Sequence, residues 1–147
     1  MQVTSKNGRF KVTMPGVPVV QPVKFKQVKN DKIVYHLYTL TTSHSFYYAG
    51  YAEWKDGGND LPLSTFRDVR SRFLKVRKAE VTDEKTTSPE GMYCSDVTAK
   101  NPDGDNLRVR TYVGRQRAYQ IGVAADSAHA SSPDLDRFLA SFKVLWK

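Results

Sequence analysis

Apolar and polar residues alternate with period two over Leu107-Arg108-Val109-Arg110-Thr111-Tyr112-Val113, and again over Ala118-Tyr119-Gln120-Ile121-Gly122-Val123. Alternation built from β-branched and aromatic residues marks a strand with one face buried. Gly114, Arg115, Gln116 and Arg117 interrupt the pattern too briefly for a crossover, so the spacing predicts an antiparallel hairpin over Asn106–Ala125. The rest of the chain is expected to extend this ribbon into a sheet or to cover it.

The other periodic segments fit that plan. Residues 1–8 are polar and expected to be frayed. Phe10–Met14 alternates as a first strand and stops at the turn dipeptide Pro15-Gly16. Pro18 and Pro22 mark an edge segment, because proline cannot donate to a ladder, and Val23–Val28 alternates after it. Strands follow over Ile33–Thr41 and Phe46–Trp54. The second of these is the most aromatic part of the chain, with Tyr47 and Tyr51 on one face and Phe46 and Tyr48 on the other. Leu63–Ala79 reads as one long helix, with Ser64 as N-cap and an apolar stripe of Phe66, Val69, Phe73 and Val76. Glu80–Thr87 and Met92–Ala99 are strands, Asn101–Asp105 is a turn, and Pro133–Phe142 is a short helix. Lys143–Trp146 closes the chain as a terminal strand. The fold class is therefore α+β, a mostly antiparallel sheet flanked by one long and one short helix, in a single domain over 1–147. No repeat or linker divides it.

Charge narrows the function classes. The formal net charge is +8 and the pI about 9.6, which favours acidic partners without choosing among them. Residues 61–79 carry six basic side chains against one acidic, whereas residues 80–105 carry two basic against seven acidic. The single cysteine, Cys94, permits no intrachain disulfide. No apolar run approaches the roughly 20 residues that span a bilayer, and the first eight residues lack an apolar signal-peptide core. Two compartments fit: an exported or periplasmic domain lacking its leader, or the cytoplasm.

The order of elements resembles a known family. Phe10–Gly16 opens with Phe-x-Val-x-x-Pro-Gly, and the Tyr-rich strand precedes an amphipathic helix. A strand rooted at Gly91 feeds the hairpin with Gly-Arg-Gln-Arg-Ala-Tyr-Gln-Ile at 114–121, and Asp136–Phe142 follows. This is similar to the PsbP-like superfamily, which includes the extrinsic photosystem II protein, a Ran-binding nuclear import factor and bacterial domains of unknown function. The resemblance implies an α/β/α sandwich over roughly residues 9–145. Its motifs are structural, so no functional residue is carried over.

Candidate chemistry is sparse, and no enzymatic activity or cofactor is expected. His36, His44 and His129 show no metal-ligand spacing. His36 reads as a packed or surface strand residue, the other two as solvated loop residues. No G-x-S-x-G, H-E-x-x-H, C-x-x-C or P-loop is present. Cys94 reads as a small buried hydrophobe. Asn101, Asp103 and Asp105 mimic the first ligands of a calcium loop. Asn106 stands where glycine is needed and Tyr112 where glutamate is needed, so a turn is the better reading and no metal is assigned. The Asp56–Asp60 loop is an equally weak cation site.

The basic residues are the stronger signal. Arg67, Arg70 and Lys75 on the helix, with Arg115 and Arg117 at the hairpin turn, form the expected working surface. Arg108 and Arg110 share a strand face, and they point away from the helix if it lies on the opposite side. The expected partner is an acidic protein surface, with nucleic acid or anionic lipid as alternatives. A further alternative is a small-ligand groove beside His36, Tyr47 and Tyr51, with Tyr35 and Trp54 nearby.

Overall fold

The predicted hairpin lies at the centre of the main sheet. The computed structural model describes residues 2–5, 10–24, 34–53, 60–87, 93–114, 117–129 and 133–144. Its elements are β1 (Gln2–Ser5), β2 (Phe10–Thr13), β3 (Val19–Lys24), β4 (Val34–Thr41), β5 (Ser45–Glu53), α1 (Asp60–Val76), β6 (Glu80–Thr87), β7 (Tyr93–Lys100), β8 (Asn106–Gly114), β9 (Arg117–Ala125), α2 (Pro133–Ser141) and β10 (Lys143–Val144). Seven strands pair in the order β3-β4-β5-β9-β8-β7-β6, and a second sheet has the order β1-β2-β10. Every pairing among the described residues is antiparallel.

Strand β9 is covered on both faces rather than one. Tyr119, Ile121 and Val123 pack with Phe10, Val12 and Met14 of the small-sheet side and with Leu135, Phe138 and Leu139 of α2. The opposite face carries Ala118, Gly122 and Ala124, small residues that let α1 approach. There Phe73 and Leu74 join Tyr48, Ala99, Leu107 and Val109 in a second cluster. Burying side chains of this size contributes about 1.5–3 kcal/mol each. The result is an α+β architecture with a helix on each face of the sheet.

Several boundaries differ from the sequence reading. Gln2–Ser5, expected to fray, is a strand paired to β2 in register Val3 to Val12. Of the predicted Val23–Val28 strand, Val23 and Lys24 belong to β3, which begins earlier, at Val19, and residues 25–33 lie outside the described ones. Pro22 is tolerated there because β3 is an edge strand of the seven-stranded sheet. Helix α1 starts at Asp60, so Ser64 is an interior position rather than the N-cap. Pro62, which needs no N–H partner in the first turn, agrees with the earlier start.

The predicted stripe also rotates. Val76 is 77% exposed, while Phe73 and Leu74 are buried. The inward seam runs through Arg70, Phe73, Leu74 and Arg77 at i, i+3, i+4 and i+7, which leaves Val76 facing outward.

Lys78 ends α1 at φ 54°. Ala79 N–H donates to the Leu74 carbonyl at 2.9 Å and Lys78 N–H to that of Lys75 at 3.0 Å, the paired bonds of a Schellman cap. Glycine normally holds this left-handed position, because a Cβ there costs roughly 1 kcal/mol or more. Lys78→Gly is therefore expected to stabilise the fold by about 0.5–1 kcal/mol, read as a raised urea midpoint. A lowered midpoint would contradict the strain assigned to this residue.

Candidate functional site

The basic side chains of α1 divide into two groups. Arg67, Arg72, Lys75 and Lys78 are exposed, with Asp68 the exposed acid among them. Arg70 and Arg77 face inward. Arg70 Nη1 donates to Glu84 Oε1 at 3.2 Å, and its side chain is only 22% accessible. The Arg77 guanidinium lies 4.3 Å from the Phe73 ring centre and 4.9 Å from that of Phe46. It donates to the Phe73 carbonyl at 3.2 Å, and burial pushes its pKa down. These two arginines bind the helix to the sheet.

The hairpin arginines lie across the sheet from α1. Arg110 Nη2 donates to Asp96 Oδ2 at 2.9 Å, and Nη1 donates to the Leu139 carbonyl at 3.3 Å, one of the last carbonyls of α2. Burial weighs against the Arg110 charge, but Asp96 and Tyr112 together outweigh it, and its pKa is raised. Arg108 reaches Asp96 at 3.5 Å and Asp136 at 3.7 Å. Asp96 Oδ1 and Arg108 Nε are buried without a protein partner. These charges anchor α2 and largely neutralise one another. Arg117 pairs with Gly114 and Glu53, and strand alternation puts it on the Tyr119 face, away from α1. Arg115 lies outside the described residues. The expected surface of Arg67, Arg70, Lys75, Arg115 and Arg117 is thus not one face. Arg67 and Lys75 share the outer side of α1, Arg70 is turned inward, and Arg117 is across the sheet.

At the expected groove both of its β5 tyrosines are buried. Tyr47 and Tyr51 are 2% and 6% exposed. Tyr47 packs edge-on against Phe138 at 5.1 Å, and Tyr51 lies 5.9 Å from Phe10. His36 stacks on Tyr51 with ring centres 4.8 Å apart. Trp54 lies outside the described residues, as does most of the Asp56–Asp60 loop. A dent of 90 Å³ between Thr13–Pro15 and α2 is small beside the roughly 300–1,000 Å³ of ligand clefts. Cys94 is a buried free cysteine. The Asn101–Asp105 turn satisfies its own polar groups. Asn101 Nδ2 donates to Asp105 Oδ2, and Asp105 N–H donates to Asn101 Oδ1, both at 2.8 Å.

The two loop histidines, expected to be separate and solvated, converge. Antiparallel pairing sets Ser45 opposite Ala125, so the turn before β5 meets the turn after β9. The imidazoles of His44 and His129 stack with centres 3.8 Å apart and planes 17° from parallel. His44 Nδ1 lies 3.2 Å from Asp126 Oδ2, and His129 Nδ1 lies 2.7 Å from Oδ1. The hydrogen bond from His129 holds the Asp126 carboxyl below its ordinary range. Sequence spacing hides this, because 85 positions separate the histidines; the cross-strand register reveals it.

No protein-family model and no curated protein matches the sequence. Among solved structures, the fold is similar to the solution structure of cyanobacterial PsbP (CyanoP) from Synechocystis sp. PCC 6803. The TM-score is 0.63 at 12% identity, over 98% of this chain and 91% of that one. Among the described residues, no helix is long and apolar enough to cross a membrane. With a seven-stranded antiparallel sheet and a helix on either face, the chain has a PsbP-like fold.

Proposed function

We propose that this protein is a non-catalytic accessory domain that docks on an acidic protein surface through the outer face of α1. One observation carries the reading: Arg67, Arg72 and Lys75 are exposed along α1, and Val76, one turn beyond Arg72, is itself 77% exposed. An exposed apolar side chain beside arginine is a common element of protein interfaces. Nucleic-acid surfaces instead set aromatics among their cations for base stacking. Among the side chains whose exposure is described, the exposed large apolar ones are Val17, Val19, Val76 and Val81. The paired Arg70, Arg77, Arg108 and Arg110 have structural partners and take no part.

The test is charge reversal at Arg67, Arg72 and Lys75 together, with binding to a poly-glutamate peptide, a DNA oligonucleotide and phosphatidylglycerol vesicles measured at low salt. Each exposed pair contributes roughly 0.2–1 kcal/mol, and reversal adds repulsion. Poly-glutamate affinity is therefore expected to fall about tenfold or more, with the unfolding midpoint little changed. Unaltered affinity would remove α1 from the docking surface. Tighter binding to DNA or to vesicles than to poly-glutamate would favour those partners instead.

A further inference from the structure

We infer that His44, Asp126 and His129 form a binding site for a divalent transition-metal ion of the zinc class. The three side chains each offer a ligand atom, and these atoms all lie within 4.8 Å of one another. Ligands of a tetrahedral zinc at about 2.0–2.1 Å stand roughly 3.3 Å apart. The separation of His44 Nδ1 from Asp126 Oδ2, 3.2 Å, matches that spacing, and His129 Nδ1 lies 2.7 Å from the other carboxylate oxygen. The two imidazoles stack nearly parallel, so each ring must turn about its side-chain bonds before both Nδ1 lone pairs converge on one ion, which then takes the place of the protons now shared with the carboxylate.

The donor chemistry selects the metal. Two imidazoles and one carboxylate suit zinc and its transition-metal neighbours, whereas calcium and magnesium need oxygen ligands. Three protein ligands leave a fourth position for water or an incoming group. That position faces solvent: the side chains of His44, His129 and Asp126 are 52%, 41% and 39% accessible.

The two turns that carry the ligands are held in place before any ion arrives. Asp126 N–H donates to the His44 carbonyl at 3.0 Å, which ties the two turns together. Thr42 Oγ1 accepts from the N–H groups of His44 and Ser45, fixing the first turn. His129 N–H donates to Asp126 Oδ1 at 2.9 Å, fixing the second. Both turns are rooted in neighbouring strands of the central sheet. This assignment is independent of the docking role of α1, which lies on other residues.

The experiment uses the untagged chain, stripped with chelator and titrated with Zn²⁺ by calorimetry and with Co²⁺ by visible absorption. One ion per chain and a tetrahedral-type cobalt band are expected. His44→Ala and His129→Ala should each weaken Zn²⁺ binding roughly tenfold or more, whereas His36→Ala should leave it unchanged. In the unmutated chain, imidazole nitrogen resonances of His44 and His129 should shift together at one equivalent, a readout that does not depend on any variant folding. Absence of saturable binding, binding indifferent to both substitutions, or shifts confined to His36 would overturn the assignment.

Discussion

Replacing Phe10 by alanine is expected to cost about 3–5 kcal/mol of folding free energy, the usual range for emptying a buried aromatic site. The side chain is fully buried. Its ring lies 5.6 Å from Tyr38, 5.9 Å from Tyr51, 5.9 Å from Tyr119 and 5.6 Å from Phe142. Those partners come from β4, β5, β9 and the segment after α2, so one side chain joins the small sheet to the large one. Edge-on pairs, as with Tyr38 and Tyr119, add about 0.5–1.5 kcal/mol beyond area burial. Rigid neighbours on four sides cannot all close on the hole. In urea, the midpoint should fall with an unchanged slope. Lys11→Ala, one residue along the same strand, should stay within about 0.5 kcal/mol. Given total stabilities of roughly 5–15 kcal/mol, Phe10→Ala would remove a large share. A loss below about 1 kcal/mol would mean that Phe10 does not link the sheets.

The placement of Phe10 also explains what the sequence reveals. Its period-two neighbours Val12 and Met14 mark one buried face without naming what covers it. Strong alternation fixed β5, β8 and β9 nearly to the residue, because side-chain direction in a strand follows directly from position. Val76 misled for the opposite reason. Helical periodicity alone cannot choose between a seam through Val76 and one through Leu74 when arginines flank both. Arg70 and Arg77 bury their stems on the sheet side and displace Val76 outward, a choice made by tertiary contact with Glu84, Phe46 and Phe73. Gln2–Ser5 looked frayed because its polar sequence carries little hydrophobic signal, and only the pairing with β2 orders it.

The candidate sites divide along the same line. Exposure of Arg67 and Lys75 follows from local pattern. Neutralisation of Arg108 and Arg110 by Asp96 needs the β7–β8 register, which sets Asp96 opposite Arg110. The histidine cluster depends on a still longer connection, the β5–β9 pairing. Residues that act together across strands become legible only once the strand order is known, and the order here is not that of the sequence.

The same β5–β9 pairing carries the second large prediction. Gly122 faces Tyr48 directly, and a Cβ built at Gly122 would lie 2.1 Å from Tyr48 Cε1 and 2.5 Å from Cζ. The ring cannot swing aside. Its hydroxyl donates to Gln120 Oε1 at 2.9 Å, Gln120 Nε2 donates to Thr111 Oγ1 at 2.9 Å, and Phe73 packs edge-on at 5.0 Å. Burial also pushes the Tyr48 phenol pKa up, so its proton stays in that chain of bonds. Gly122→Val is therefore expected to cost about 3 kcal/mol or more, at the top of the overpacking range. Tyr48→Ala alone should cost about 3–5 kcal/mol by leaving a cavity. The two defects have opposite volume, so the double variant should be more stable than their sum predicts. Contacting residues couple by about 0.5–3 kcal/mol, and this pair belongs at the upper end because valine refills part of the vacated space. Urea unfolding of the two single variants and the double closes the cycle. Strict additivity would show that the glycine is tolerated for backbone reasons, and that the ring does not require it.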